Sequence, residues 1–306
     1  MIGEAFALFS ALCFGVSGAA IARGAPEARG DNGAFLSILL TLLLSGLLWI
    51  WLGDVTPWPL TDLDILFGLG LFVAAGVFAT VLGRLAMFNS IALAGVITAS
   101  LFRRLIPVFA GALAFFLLGE RVTLDELFGM VIILASIFLA VSERRLPVRS
   151  SSTDSISFDP SQKKRGQIYG TASALCYGCA YVTRKLAMQH TPDAALGAVV
   201  GAITGIIWYS VAAALSPRYS ATVVGVFRTT GVWQFVAALS MAMGQTSQFF
   251  ALANTDVATV AIIGSTEVFI SAYLAAFVFK TERRPSTRVV IATVIATAGI
   301  ILVARG

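Results

Sequence analysis

Apolar runs of about twenty residues, separated by short polar stretches, set the pattern of this chain. The first five lie at about 3–22, 33–53, 65–88, 93–118 and 124–142. Five more follow at about 167–186, 194–215, 231–251, 255–279 and 287–304. An α-helix crossing the bilayer core needs roughly 20 such residues, so each run predicts one transmembrane helix. The expected fold class is therefore all-α and integral to the membrane, with ten spans. Between the two sets, Ser142 to Gly166 carries Ser150-Ser151-Ser152-Thr153 and Lys163-Lys164-Arg165. Such a segment buries too little apolar surface to pack, and residues 143–166 are read as a polar, basic linker.

Composition strengthens the membrane reading. Hydrophobic residues make up 58% of the 306 and charged ones only 12%, with a mean hydropathy of +0.89. A soluble domain holds about 25% charged residues, so this surface must face lipid. The net charge of +5 then says nothing of nucleic acid, and no nucleic-acid partner is expected; what matters is which loops hold it. Three cysteines in apolar stretches make no disulfide framework. Glu4 precedes the first basic residue, Arg23, so the first run lacks the positive start of a secretory signal and reads as a retained helix.

The two sets repeat each other. Ser10-Ala11-Leu12-Cys13-Phe14-Gly15 matches Ser173-Ala174-Leu175-Cys176-Tyr177-Gly178 at an offset of 163. Phe88 pairs with Phe250, and Glu120-Arg121 with Glu282-Arg283, at an offset of 162. Anchors so far apart that agree within one residue mark a true repeat. The units are 1–142 and 167–306. Five spans per unit is an odd number, so the second unit crosses the membrane in the opposite sense. Inverted repeats of this kind place a ligand site near the bilayer midplane between the halves.

Leu101-Phe102-Arg103-Arg104-Leu105-Ile106-Pro107-Val108-Phe109, running on to Leu117-Leu118-Gly119-Glu120-Arg121, resembles the fourth-helix signature of the EamA-like drug/metabolite transporters. Ser265-Thr266-Glu267-Val268-Phe269 to Thr281-Glu282-Arg283 is similar, without the proline that often follows the acidic residue. The resemblance covers nearly the whole chain. It implies a basket-like bundle whose cavity is lined mainly by helices 1, 3, 4, 6, 8 and 9, and a multi-pass carrier in the cell (inner) membrane. It does not fix the substrate, since related carriers move amino acids, nucleotide sugars, drugs and vitamins.

Few ionisable residues lie inside the runs. Arg103 and Arg104 fall about eleven residues into the fourth and Glu267 about twelve into the ninth, near the bilayer centre. A central charge costs about 2.5–3.5 kcal/mol on insertion scales, so such groups face a cavity or one another. Arg104 and Glu267 occupy nearly equivalent repeat positions. They either lock two helices together or bind substrate and a coupling proton. Arg84, near the end of the third run, either snorkels or joins the site. Pro107 frees the Arg103 carbonyl, as in the broken helices of transporter sites or in an ordinary kink. Trp233, Gln245 and Gln248 on the eighth run and Tyr177 and Tyr181 on the sixth complete the candidate set; the glutamines and the tyrosines each share one helix face. Packing is the competing reading for each.

Cys176-Tyr177-Gly178-Cys179 lacks further metal ligands, and no nucleophile–base set or nucleotide loop appears, so neither enzyme nor cofactor is expected. Fourteen basic residues, those of the linker among them, fall on one side of the membrane. Arg121, Arg184, Lys185 and Arg305 fall on the other, together with the acidic segment 53–64. The positive-inside rule then makes the linker cytoplasmic and both termini external, against the family's usual orientation. The expected function is secondary-active transport of a small polar or anionic metabolite, with protons as a possible coupling ion and a homodimer as a possible assembly. The alternatives are an exporter of cationic or drug-like compounds and a non-transporting protein that handles lipids.

Overall fold

The computed structural model describes residues 1–24, 33–52, 62–87, 89–90, 93, 102, 104–121, 123–143, 160–279 and 286–303. Every regular element among them is helical. In chain order these are α1 (Ile2–Gly24), α2 (Ala34–Leu52), α3 (Leu63–Gly76, continuing as a π-helical stretch Val77–Gly83), α4 (Ile106–Leu118) and α5 (Leu124–Glu143). Then come α6 (Pro160–His190), α7 (Ala194–Leu215), α8 (Pro217–Thr229), α9 (Val232–Asn254), α10 (Val257–Gly264), α11 (Glu267–Tyr273, continuing as π-helical Leu274–Val278) and α12 (Thr287–Val303). Among the described residues five helical spans are long and apolar enough to cross a membrane: α1, α2, α3, α7 and the α10–α11 pair. Shorter apolar helices accompany them at 106–118, 127–136 and 287–302. Large apolar side chains point outward, including Trp51, Phe116 and Phe138, as a lipid-facing surface requires.

The helix ends follow from local chemistry. Asp62 accepts the Asp64 N–H at 3.0 Å and Asp193 the Leu196 N–H at 2.8 Å, satisfying donors that the first turns leave open. Pro107 sits in the first turn of α4, where its missing N–H costs nothing. The same helix stops at Gly119, whose φ of 68° is left-handed.

Two departures from the sequence pattern are instructive. The helix read as 167–186 runs from Pro160 to His190, because apolar content measures membrane thickness while the helix itself extends into polar surroundings. Its first turns enter the stretch read as linker; 144–159, the rest of that stretch but Glu143, lie outside the described residues. Residues 217–229, read as a loop, form α8: Pro217 starts it, and Tyr219, Val223 and Val226 pack on Phe35, Ile38 and Tyr209 while Arg228 stays exposed.

The helices interlock in pairs that mirror the sequence repeat. α1 lies antiparallel to α9: Thr255 Oγ1 donates to Glu4 at one end, and Gln234 Nε2 to the Gly24 carbonyl at the other. α3 pairs with α6 in the same way, from His190–Asp64 at one end to Ser173–Gly83 further along. Without a hydrophobic drive between helices in lipid, close contact relies on small residues and buried hydrogen bonds. Ser10 Oγ donates to the Gly244 carbonyl at 2.8 Å, and Ser173 Oγ to the Gly83 carbonyl at 2.7 Å. Ser10 and Ser173 are the repeat-matched serines, and their glycine partners are 161 residues apart. The repeated motif is therefore an interhelical latch used twice. A Cβ at Gly244 would come within 2.9 Å of the Phe14 ring and 3.1 Å of the Cys13 Cβ, so the close approach needs glycine there.

Candidate functional site

Two helix breaks face each other inside the bundle. Arg104 and Leu105 form a turn ahead of α4, with the Leu105 N–H on the Phe102 carbonyl at 2.9 Å. Ser265 and Thr266 form the matching turn between α10 and α11. Their hydroxyls fold back onto the Ile262 and Ile263 carbonyls, both at 2.6 Å, which also accept the Ser265 and Thr266 N–H groups in the turn. Arg104 Nη1 reaches across to the Ser265 carbonyl at 3.4 Å. Residues 104 and 265 are 161 apart, so the contact joins equivalent points of the two repeats. Glu267 opens α11 two residues later and is half-buried. Arg103 lies outside the described residues.

A second polar group joins α6 to α9. Gln248 Nε2 donates to the Tyr181 hydroxyl at 2.6 Å, and Gln248 Oε1 accepts from Arg184 Nη1 at 2.7 Å. Gln245 faces two guanidinium donors, so its amide is oriented oxygen-first and accepts from Nη2 at 2.7 Å and Nη1 at 3.1 Å. The guanidinium stacks over Phe249, with Cζ 4.6 Å from the ring centroid. Arg184 is only 5% exposed. Gln248 and Gln245 lie six and nine residues before Asn254, about 9–14 Å in from that end of the helix. The two polar groups adjoin: a Cβ built on Gly264, at the α10 break, would sit 3.8 Å from the Tyr181 hydroxyl.

Arg184 corrects the sequence reading, which set it among flanking loop charges. It sits one turn beyond Tyr181 on the face that Tyr177 and Tyr181 define, a spacing that points it into the bundle. Its neighbour Lys185 does serve the helix end, donating to the Leu252 and Thr255 carbonyls at 2.7 and 3.0 Å. Glu120 completes that clamp, both carboxylate oxygens accepting the Val257 N–H at 3.1 and 3.0 Å. It caps α10 where Asp256 makes no side-chain cap. Burial pushes the Glu120 carboxyl above its ordinary value, helped by the nearby Asp256 and opposed by the Val257 bond and Lys185.

The remaining candidates are dispersed. Arg84 Nη1 donates to the buried Tyr209 hydroxyl at 3.1 Å, beside Phe35 and Tyr219, so it points to α7 and α8. Trp233 stands at the opposite end of α9, under Arg23 and edge-on to Phe279 at 5.1 Å. Tyr177 packs near Gly83, where a Cβ would meet its ring at 3.2 Å. An apolar groove of about 320 Å³ opens between α1, α2 and α9, walled by Phe6, Leu44, Leu239 and Phe250 among others. Apart from Thr246 and Ser247 its lining is apolar, and none of the candidate site residues contributes to it.

The profile of the EamA-like transporter family matches residues 1–142 and, a second time, 164–305. No curated protein matches the sequence. A solved crystal structure shares the fold with a TM-score of 0.64 at 17% identity, over 98% of this chain and 94% of the other.

Proposed function

The chain belongs to the EamA-like transporter family, and from that premise we propose that it is a secondary-active carrier of a small polar or anionic metabolite. It works as ten transmembrane helices in two inverted five-helix repeats, in the cell membrane, with the connection between α5 and α6 on the cytoplasmic side. One observation supports this reading above the others: Arg104 reaches the Ser265 carbonyl, so the broken helices of the two repeats meet at equivalent points. Broken helices offer carbonyls and charges to a substrate without exposing them to lipid. Rocking one repeat against the other about this contact exposes the site to each side in turn. Arg103, Arg104 and Glu267 form the central charged set, and Glu267 is the residue to take up a coupling proton. Tyr181, Gln245 and Gln248 supply uncharged contacts.

A ligand-library stability screen of the purified protein tests the reading. Stabilisation by small polar or anionic metabolites is the expected result. Stabilisation by lipids alone would make the chain a lipid-handling protein. Stabilisation by organic cations that needs Glu267 and not Arg103 would make it a cation exporter.

A further inference from the structure

Arg184 is a buried cation of a kind that cannot neutralise itself, since arginine keeps its proton under essentially all conditions. Among the described residues no carboxylate lies within ion-pair distance of it; its partners are two amide oxygens and a ring face. Its Nε–H is enclosed in the protein without a hydrogen-bond partner. Each feature is unfavourable in a membrane interior, where buried charges are usually paired and buried donors satisfied. The repeat scaffold does not require the group either. By the offsets of the Ser–Gly latches, the counterpart of Arg184 in the first repeat is Ile21, and that of Gln248 is Met87. Gln245 corresponds to Arg84, which turns to Tyr209 on α7, so the guanidinium on α6 with two amides on α9 is an arrangement that the first repeat does not duplicate.

We propose that Arg184, steadied by Gln245 and Gln248 and flanked by Tyr181, is the subsite that binds the carboxylate of the transported molecule. This rests on the carrier reading above and assigns that site its ligand chemistry. Gln248 and Gln245 engage Nη1 and Nη2, and the partnerless Nε–H lies on the guanidinium edge it shares with Nη2, the edge that a carboxylate accepts bidentately. A carboxylate's single negative charge matches the single charge of Arg184, whereas a phosphate monoester, near −2, exceeds what this one guanidinium balances. Tyr181 joins the subsite to the α10 break, so the rest of the molecule extends toward Arg104 and Glu267. Gln248 holds its carbonyl oxygen toward Arg184 and its amide N–H toward Tyr181, which fixes the guanidinium's direction.

The test is thermal stabilisation of the purified full chain at pH 7 and constant ionic strength. The probes are small monocarboxylates, dicarboxylates and amino acids, each beside its amide, with phosphate monoesters as a further arm. At least one carboxylate should raise the wild-type Tm while its amide does not. Arg184→Gln should abolish that rise. Gln248→Glu sets a carboxylate beside Arg184 within the protein; it should raise the ligand-free Tm by at least about 4 °C and weaken the carboxylate probe at least tenfold. This second variant decides the matter if Arg184→Gln does not fold. A lower ligand-free Tm in Gln248→Glu, or stabilisation by phosphate monoesters alone, overturns the proposal. Carboxylate shifts unchanged in both variants overturn the subsite and leave the carrier reading intact, with Arg104→Gln expected to remove them instead. Shifts from neutral polar compounds only would likewise remove the subsite while the carrier stands.

Discussion

Replacing Ser10 and Ser173 by alanine, singly and together, asks whether the repeated motif is the latch that the geometry describes. Each hydroxyl is buried, 2% and 1% exposed, and each donates to a glycine carbonyl on a partner helix at 2.8 or 2.7 Å. Removing the hydroxyl leaves a carbonyl that can still accept within its own helix, so no buried acceptor is orphaned. The loss should then be that of one interhelical bond in a membrane protein, ~0.6–1.7 kcal/mol. That corresponds to a fall in Tm of roughly 1–3 °C for each single variant. The two bonds share no partner, so the double variant should lose the sum of the singles to within about 0.5 kcal/mol. Thermal unfolding in detergent, followed by intrinsic fluorescence, gives the four values of the cycle. Equal losses that add fit two copies of one latch. A neutral Ser173→Ala beside a costly Ser10→Ala, or a strongly non-additive double variant, would refute the equivalence of the α1–α9 and α6–α3 pairs.

Further expectations address orientation, the central charges and the outer clamp. A topology reporter inserted within 150–157 should behave as cytoplasmic; periplasmic activity there would reverse the orientation drawn from the basic residues. Glu267→Gln should lower Tm, and Arg104→Met with Glu267→Gln should recover much of the loss if the two charges interact, whereas additive losses would show that they do not. Because the folded protein holds the Glu120 proton more tightly than the unfolded chain does, Glu120's contribution is greatest below the ordinary carboxylate pKa and declines as pH rises through its raised value. The Tm of Glu120→Gln relative to wild type should therefore climb as pH rises from the ordinary carboxylate value through the raised one; a flat difference would contradict the burial of this carboxyl.

The apolar runs made the helices legible because lipid imposes one requirement, a length of apolar residues, that few other constraints disturb. The runs that hold the site, 167–186 and 231–251, are less apolar than the five spans that stand out most. α6 and α9 are 31 and 23 residues long, yet neither is among the five spans apolar enough to stand out. The residues that lower their hydropathy, Arg184 and Lys185 on one and Gln245 and Gln248 on the other, build the polar cluster and the clamp. One-face spacing found Tyr181, Gln245 and Gln248. It passed over Arg184 because a charge near the end of an apolar run looks like a flanking charge, and only its register with Tyr177 and Tyr181 says otherwise. Pro107 flagged the break before α4. The break at Ser265–Thr266 carries no proline; Gly264 and two hydroxyls that can bond their own backbone were its only marks.

Flux through the reconstituted protein tests the carrier account most directly. Proteoliposomes should take up a radiolabelled carboxylate that stabilises the protein, saturably, and empty liposomes or those holding Arg104→Gln should not. Stabilisation by that compound with no uptake above empty liposomes, under either direction of an imposed proton gradient, would contradict the account and leave a binding protein in place of a carrier.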